Sequence, residues 1–380
     1  MPALHVAQIN FLPAPEAFPA AEILERWRCL VDIAEMAAGA GIRVSVLQAA
    51  SHSERVVRNG VDYRFVDVGD AQTPAAVGKR CADVLEGIGA DILHAHSLAF
   101  AEEAHAVSRC LSKPLPILLQ DHADRLLPWW RRWGSWRRPY AAVAGVAFTS
   151  LEMARPFVAA GAFGPATHFF EIPETSSRFC PGSRADARTE TGIYGDPCVL
   201  WVGHLSPGKD PLTVLEGVAR AARQLPGLRL WCAFGTAPLL AEVRARIDRD
   251  PRLAGRVHLL GKVPHARVES LLRAADLYVS GSLAEGSGCA VLEALACGVY
   301  PVLTDIPAFR ALTGNGRAGR LWPCRDPGRL AEALISAARS PLSRQQVRAH
   351  FDRTLSFAAV GHRWAEAYAQ VFESWWRRAA

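Results

Sequence analysis

The feature that most restricts the fold is an alternation of short apolar runs with helical patterns, which occurs twice along the chain. In the first half the runs that predict strands are LHVAQI, IRVSVLQA, DILHAH, LPILLQ and GVAFTS. In the second half they are CVLWVGH, LRLWCAFG, RVHLLGKV, LYVSGS and VYPVLTD. Helical patterns such as 21–40 and 99–111 separate them. This alternation predicts parallel sheets covered by helices on both faces, and therefore two doubly wound α/β domains.

The length of the chain supports the same division. Its 380 residues exceed what one typical hydrophobic core organises. The stretch 178–197 is rich in Gly, Pro and charge and has no periodicity, which is typical of a domain joint. We therefore predict four segments, and their bounds are an N-terminal domain 1–180, a linker 181–197, a second domain 198–345 and C-terminal helices 346–380.

Composition excludes several classes of protein. With 50% apolar and 21% charged residues the chain is globular, and its apolar runs are shorter than the roughly 20 residues that a membrane span needs. The N-terminus lacks the pattern of a secretion signal, so we expect a cytoplasmic protein. Nine scattered cysteines without a C-x2-C pair indicate reduced thiols and neither a disulfide framework nor a zinc site. The net charge of +6 suits anionic ligands or an anionic membrane surface, but its distribution does not favour nucleic acid.

Ligands of open parallel sheets bind beyond the carboxyl ends of the strands, so the loops there are the candidate site. In VGHLSPGKDP, Gly203 ends a predicted strand, His204 follows it, and Lys209 precedes a helix that begins near Pro211. A cation beside a helix N-terminus favours phosphate. An ordinary strand-to-helix turn is the alternative for this loop alone.

The loop AEGSGCAVLEALACG contains two glutamates eight positions apart, Glu285 and Glu293. Between them, Gly286, Ser287 and Gly288 leave backbone N–H groups uncovered where a helix begins. Ionised carboxylates accept hydrogen bonds from pairs of hydroxyls. Two carboxylates that flank N–H groups and a lysine suit a ligand with hydroxyls at both ends and phosphates between, and a nucleotide sugar is such a ligand.

From Val199 to about Ala338 the chain resembles the C-terminal domain of the retaining glycosyltransferases of family 4. That family has the GT-B fold, in which two Rossmann-like doubly wound parallel-sheet domains face each other across a cleft. Glu285 and Glu293 match its E-x7-E motif, and Lys209 matches the lysine that grips the donor diphosphate. The segments VLEALACGVYPVLTD and TGNGRAGRLWPCRDPGRLAEAL are also similar to the family, and the last segment resembles C-terminal helices that cross back onto the N-terminal domain.

The resemblance implies a role for each candidate residue. Glu285 is expected to contact the sugar hydroxyls and Glu293 the ribose, while the backbone from Ser287 to Ala290 approaches the sugar and phosphates. His122, in LPILLQDHADRL, matches a histidine that approaches the transferred sugar, whereas His94 and His96 are expected to be structural or acceptor-side. The predicted catalytic residues are His122, Lys209 and Glu285, and the predicted donor-binding residues are Gly203, His204, Lys209, Gly235, Lys262, Val263, Glu285, Gly286, Ser287, Gly288, Cys289, Ala290 and Glu293.

The implied reaction moves a sugar from a nucleotide-sugar donor to an acceptor and keeps its anomeric configuration. The departing phosphate takes the proton of the acceptor, so neither a metal nor another cofactor is expected. The D-x-D at Asp248 and Asp250 is predicted to be a solvated loop. The chain departs from the family at His204, where arginine is usual, and it has no glycine between Asn10 and Glu22. Two alternatives stay open, a GT-B nucleotide-sugar epimerase and a non-catalytic scaffold with a decayed donor site.

A segment rich in Trp and Arg bears on the acceptor. In LPWWRRWGSWRRP, Trp129, Trp130, Trp133 and Trp136 lie among four arginines. Indole and guanidinium groups on one helix suit the interface of an anionic membrane. The segment predicts peripheral contact with the inner face of the membrane and an acceptor that is lipid-linked or a cell-surface glycan precursor. The alternative, that these tryptophans pack on their own domain, stays open.

Overall fold

A computed structural model of the protein describes residues 3–15, 18–71, 73–122 and 133–379. The strands are β1 (His5–Asn10), β2 (Arg43–Ala50), β3 (Glu54–Arg58), β4 (Val61–Asp67), β5 (Ile92–His96), β6 (Ile117–Gln120), β7 (Gly145–Phe148), β8 (His168–Glu171), β9 (Cys198–Gly203), β10 (Arg229–Phe234), β11 (Val257–Gly261), β12 (Leu277–Ser280), β13 (Tyr300–Thr304) and β14 (Arg320–Trp322). The helices are α1 (Ala20–Arg26), α2 (Arg28–Gly39), α3 (Pro74–Glu86), α4 (Ala101–Cys110), α5 (Trp133–Ala141), α6 (Arg155–Ala159), α7 (Arg184–Thr191), α8 (Pro211–Ala221), α9 (Leu240–Arg249), α10 (His265–Ala274), α11 (Cys289–Ala296), α12 (Pro307–Thr313), α13 (Pro327–Arg339), α14 (Arg344–Thr354) and α15 (Phe357–Ala379).

The strands form two sheets of the same design. The first has the order β3-β4-β2-β1-β5-β6-β7-β8 and is parallel except for β3, which pairs antiparallel with β4. The second has the order β11-β10-β9-β12-β13-β14 and is parallel throughout. In each sheet the strand order reverses beside the first strand of the unit, as in a doubly wound nucleotide-binding fold. The prediction of two doubly wound parallel-sheet domains is confirmed.

The first compact unit comprises the chain up to Thr175 together with residues from Phe357 onward. Its sheet buries side chains on both faces, because adjacent strand residues such as Val6 and Ala7 belong to different apolar clusters. α15 covers one face with residues spaced three or four apart, among them Val360, Trp364 and Val371. Complete burial of side chains of this size contributes about 1.5–3 kcal/mol each.

The second unit runs from Ser176 to Ser356. The stretch 178–197, which we expected to lack regular structure, contains helix α7. Ser183 caps α7 by accepting from Asp186 N–H at 3.3 Å, and Gly192 ends it in the left-handed conformation at φ +72°. α7 packs on α10 within the second unit. α14 also belongs to this unit, whereas α15 belongs to the first.

Each of the ten apolar runs contains a strand, but β3, β4, β8 and β14 were not predicted. β3 is exposed on nearly every residue, so it lacks an apolar signal, and β14 has only three residues. The helical pattern at 21–40 is interrupted at Trp27, whose ψ of +62° separates α1 from α2. The pattern at 99–111 corresponds to α4, which is preceded by a short 3₁₀ turn at Leu98–Phe100.

Candidate functional site

The predicted donor site lies at the switch point of the second sheet. β9 and β12 are neighbours there, and the chain leaves them in opposite directions toward β10 and β13. Lys209 lies in the loop after β9, and Glu285 lies in the loop after β12. Parallel strands bring both loops to one edge of the sheet, where such folds bind ligands.

The loop after β9 places Lys209 at the start of a helix. Residues Pro207–Lys209 form a 3₁₀ turn, and Asp210 follows at φ +46° as the N-cap of α8. Asp210 Oδ1 accepts from Thr213 N–H at 3.4 Å, and Pro211 occupies the first helical position, where its missing N–H is not needed. The sequence SPGKDP is therefore a helix start that holds the lysine immediately before the helix.

Lys209 and Glu285 form an ion pair, with Lys209 Nζ donating to Glu285 Oε1. Their side chains are 28% and 15% exposed. The two loops are also joined through the backbone, because Leu283 N–H donates to Gly208 C=O at 2.8 Å. A Cβ at Gly281 would lie 3.1 Å from the carbonyl oxygens of Lys209 and Asp210, so glycine permits this close approach. Both partners are partly exposed, so a ligand that offers a phosphate and hydroxyls can replace each of them.

His204 joins the loops after β9 and β10. Its Nδ1 accepts from the backbone N–H of Thr236 at 3.1 Å, and Leu205 N–H donates to Thr236 C=O at 3.0 Å. A Cβ at Gly235 would lie 3.2 Å from His204 Cε1, so the imidazole packs against that glycine. Since Nδ1 is an acceptor, the neutral ring has one donor to offer, Nε2–H, whereas a guanidinium would offer a fork of donors. Gly203 ends β9 directly before this contact.

Glu293 has a partner that the sequence did not indicate. It lies just over one turn into α11, and its Oε1 is 2.6 Å from Nε2 of His265. The imidazole of His265 also packs on the ring of Phe179, with centroids 4.9 Å apart. The preceding turn holds Lys262, which is exposed, and Val263, which packs against the core of the unit. His265 follows Pro264 and is the first residue of α10, in one of the loops predicted to form the site. This position in the sequence is the signal that could have indicated His265.

The residues between the glutamates form the start of α11. Gly288 is its N-cap at φ +64°, and a Cβ there would lie 2.8 Å from a ring carbon of Phe309. Glycine is required by conformation and by space. Ser287 is buried, Cys289 is exposed, and Gly286 and Ala290 are half-buried. The N-cap has no side chain to cover the first-turn N–H groups, as the glycine-rich sequence predicts.

A buried tyrosine lies beneath the two glutamates. Tyr278 donates its hydroxyl to Val202 C=O at 3.3 Å. Burial raises the pKa of this phenol, and the negative charges of Glu285 and Glu293 raise it further. The phenol at the bottom of the site is therefore neutral, and it does not compete with Lys209 for an anion.

His122 lies in the first unit, in what we call the histidine cluster (His94, His96 and His122). Its Nε2 is 3.1 Å from His96 Nδ1, and its Nδ1 is 3.5 Å from Glu174 Oε2. Burial lowers the pKa of His94 to about 3, with a further contribution from His122, and burial lowers that of His96 well below its ordinary value. The sequence did not indicate Glu174, which precedes the second unit by two residues and follows no strand directly.

Tyr368 of α15 anchors the histidine cluster. Its hydroxyl is 2.8 Å from His94 Nδ1 and accepts from Gln8 Nε2 at 3.1 Å. The expectation that His94 is structural agrees with these contacts. His96 and His122 border a cavity of about 450 Å³ that Asn10, at the end of β1, also lines. Because β1 and β5 meet at the switch point of the first sheet, this cavity occupies the place that the donor loops occupy in the second.

The D-x-D segment has a structural role at its second carboxylate. Asp250 is buried, its Oδ2 accepts from Arg252 Nη2 at 2.6 Å, and Arg246 Nη1 lies 2.7 Å from the same oxygen. The hydrogen bond from Arg252 lowers the pKa of Asp250 most, and Arg246 adds to the effect. The prediction of a solvated loop is wrong for this residue, because the pattern does not show the arginines that fold onto it. Within the described ranges no group of three His, Cys, Asp or Glu side chains could hold a metal ion.

Most of the Trp- and Arg-rich segment lies outside the residues that the structure describes. Trp129 and Trp130 lie outside the described residues, and Trp133 is the first residue of α5, whose side chain there is not described. Across the part of the chain that the structure covers, every helix is too short or too polar to cross a membrane.

The comparison with protein families divides the chain as the two compact units do. Residues 196–340 match the model of the family Glycosyl transferases group 1. The matched residues lie within the second unit. D-inositol 3-phosphate glycosyltransferase of Nocardia farcinica is 29% identical over 211 residues, which are 52% of this chain and 45% of that protein. The match thus spans less than half of the relative's length.

Two solved structures resemble the whole chain. Sucrose-phosphate synthase from Thermosynechococcus elongatus superposes with a TM-score of 0.68 at 18% identity, over 98% of this chain and 100% of that one. HepE from Anabaena, in complex with UDP-glucose, gives 0.68 at 17% identity, over 97% and 100%. The fold is that of the GT-B glycosyltransferases.

Proposed function

We propose that the protein is a retaining glycosyltransferase of family 4, which moves a sugar from a nucleotide-sugar donor to an acceptor hydroxyl. The observation that carries the proposal is the Lys209–Glu285 pair at the switch point of a group 1 glycosyltransferase domain. A cation and a carboxylate in contact at a helix start are the groups that a sugar diphosphate needs, one for the phosphate and one for the sugar hydroxyls.

The proposed division of labour follows from this geometry. The donor diphosphate replaces Glu285 as the anionic partner of Lys209, and the released carboxylate accepts from the sugar hydroxyls. Lys209 and the N-terminus of α11 stabilise the negative charge that develops on the departing phosphate. That phosphate takes the proton of the acceptor, so the bond from sugar to phosphate breaks as the bond to the acceptor oxygen forms on the same face.

We propose similar exchanges for the other glutamate and for His204. Ribose hydroxyls replace His265 at Glu293, and Nε2–H of His204 donates to a donor phosphate. The base lies at the turn that contains Lys262 and Val263. UDP is the first nucleotide to test, because HepE was solved with UDP-glucose. The acceptor is a glycan precursor or a lipid-linked or phosphorylated polyol, in keeping with the name of the Nocardia farcinica relative. His122 keeps the role that the resemblance implies for it, contact with the transferred sugar.

The proposal is tested by calorimetric titration of UDP, GDP and ADP into the intact protein and into Lys209→Ala. One nucleotide should bind, and its affinity should fall at least tenfold in the variant, which is about 1.4 kcal/mol. Lys79→Ala is the matched control, since it removes an exposed lysine of α3 in the other unit.

The outcomes separate the proposed enzyme from the alternatives. Binding that is equal in Lys209→Ala and Lys79→Ala contradicts the phosphate role of Lys209. No binding of any of the three nucleotides favours the scaffold with a decayed donor site. Interconversion of the donor sugar without an acceptor, followed by NMR, identifies an epimerase, whereas a transferase leaves the sugar configuration of the donor unchanged.

A further inference from the structure

The second unit contains another cavity at the opposite edge of its sheet from the donor loops. It has a volume of about 750 Å³ and borders the amino ends of β9, β12 and β13, where Pro197, Leu277 and Tyr300 line it. Strands of four to six residues separate it from the donor loops by roughly 15–20 Å. A volume of this size accommodates a small organic ligand.

Three arginines surround a single carboxylate at this cavity. Asp276 accepts from Arg184 Nη1 through Oδ1, and through Oδ2 it accepts from Arg188 Nη2 and from the backbone N–H of Cys198, both at 2.8 Å. Both oxygens are therefore occupied. Arg344, the first residue of α14, donates through Nη2 to the carbonyl oxygen of Ala275. The cavity is also lined by exposed Asp196 and by Arg339, which donates to Gln224.

The other terminal nitrogen of Arg344 lacks a hydrogen-bond partner within the part of the chain that the structure describes. Among the described residues, Nη1 of Arg344 is buried and has no hydrogen-bond partner. A buried donor of a charged group without an acceptor costs at least about 1–3 kcal/mol. Burial lowers the pKa of Arg344, and the positive charge of Arg184 lowers it further. An anion in the cavity supplies a counter-charge for the arginines, and a turn of the Arg344 guanidinium toward the cavity gives Nη1 an acceptor.

We propose that this cavity binds a phosphorylated small molecule, with its phosphate against Arg344 and Arg184 and its apolar part against Leu225, Tyr300 and Leu342. Those three residues line the same cavity. Guanidinium groups recognise phosphate through paired N–H donors, and the lining gives a non-polar fragment a surface to cover. The site is separate from the donor site and does not depend on the proposed transferase activity.

Calorimetry with inorganic phosphate and with phenyl phosphate tests the site on the intact protein. Both probes should bind, phenyl phosphate more tightly, and Arg344→Gln should weaken both at least tenfold. Arg353→Gln is the matched control, because it removes an exposed arginine from the last turn of the same helix. Because these probes can also bind at Lys209, the titrations are repeated in Lys209→Ala, where the binding that remains should be lost on adding Arg344→Gln. Loss of all binding in Lys209→Ala alone assigns the probes to the donor site and overturns the proposal.

Thermal stability distinguishes a ligand-binding role of Arg344 from a structural one. In phosphate-free buffer Arg344→Gln should be at least as stable as the unchanged protein, since it removes a half-buried positive charge; phosphate should raise the Tm of the unchanged protein alone. If Arg344→Gln does not fold, Arg184→Gln should show the same loss of affinity, and hydrogen exchange of the unchanged protein should slow at 182–188 and 341–346 with phosphate. Unaltered exchange there, or equal affinity in Arg344→Gln and Arg353→Gln, refutes the site.

Discussion

The Lys209–Glu285 pair and the histidine cluster occupy corresponding switch points of two similar sheets, yet different forces hold them. The pair consists of opposite charges that are partly exposed, so an incoming ligand can exchange their partners. Within the histidine cluster His94 and His96 are neutral because burial lowers their pKa values, and Tyr368 and Glu174 hold the cluster from either end. One fold can therefore supply an ionic site whose partners a ligand can exchange and a site of buried neutral histidines whose geometry is fixed.

The largest effect should come from acid, because His94 and His96 have the most strongly lowered pKa values among the described histidines. The pKa of His94 is about 3 in the folded state and about 6.5 in the unfolded state. The unfolded chain therefore binds protons more readily between these values, so the free energy of unfolding should fall as the pH falls from 6.5 toward 3. The slope is about 1.4 kcal/mol per pH unit for each such histidine, or about 3 kcal/mol between pH 6.5 and 4 for His94.

Urea unfolding at a series of pH values measures this slope. His94→Gln should remove the contribution of one histidine and leave that of His96. His362→Gln, at an exposed position of α15, is the control and should keep the full slope. If His94→Gln and the unchanged protein lose stability in parallel, the histidine cluster is not neutral in the folded state and the comparison fails.

The second prediction tests the ionic site. Glu285→Gln keeps the shape of the side chain but removes the charge that strengthens the hydrogen bonds to sugar hydroxyls that we propose for it. Sugar transfer should fall about 100-fold, or about 2.7 kcal/mol, while UDP affinity changes less than threefold. Initial rates and calorimetry on the same preparation measure both quantities, with Glu242→Gln on the exposed face of α9 as control. An equal fall in rate and in UDP affinity would show that Glu285 acts through Lys209 and not on the sugar.

These two sites also differ in how far the sequence predicted them. The residues of the donor loops follow recognisable apolar strands, so topology alone brings Lys209 beside Glu285. His265 was missed because its contact with Glu293 depends on how α10 and α11 pack, which no local pattern encodes. Tyr368 is 274 positions from His94, and only the path of α15 brings the two together.

Sequence patterns were least informative where an element is short or exposed. The edge strand β3 and the three-residue β14 carry little apolar signal, whereas β4 alternates apolar and polar residues and was missed despite that signal. Helix α7 was hidden by a composition typical of linkers, although Ser183 and Gly192 are the residues that begin and end it. Capping residues at that spacing are the sequence signal that predicts this helix.

The third prediction concerns the backbone that supports the ionic site. Gly288→Ala forces a Cβ into the left-handed conformation, which costs about 1–2 kcal/mol, and toward the ring of Phe309. The start of α11 must shift, so the Tm should fall and UDP affinity should weaken several-fold. Gly208→Ala in the loop after β9 is the control, since a Cβ there meets nothing within 4 Å. Equal effects of the two substitutions would mean that the conformation at Gly288 does not position the site.

The smallest effect should come from a single hydroxyl in the histidine cluster. Tyr368→Phe leaves Nδ1 of His94 and Nε2 of Gln8 buried without this partner, at a cost of about 1–2 kcal/mol in the free energy of unfolding. Tyr194→Phe, at a tyrosine that is 54% exposed, should cost much less. Urea unfolding at pH 7 measures both. Because the substitution does not touch the second unit, UDP affinity should stay within twofold; a larger loss would show that the neutral site influences the ionic one, and the two could no longer be treated as independent.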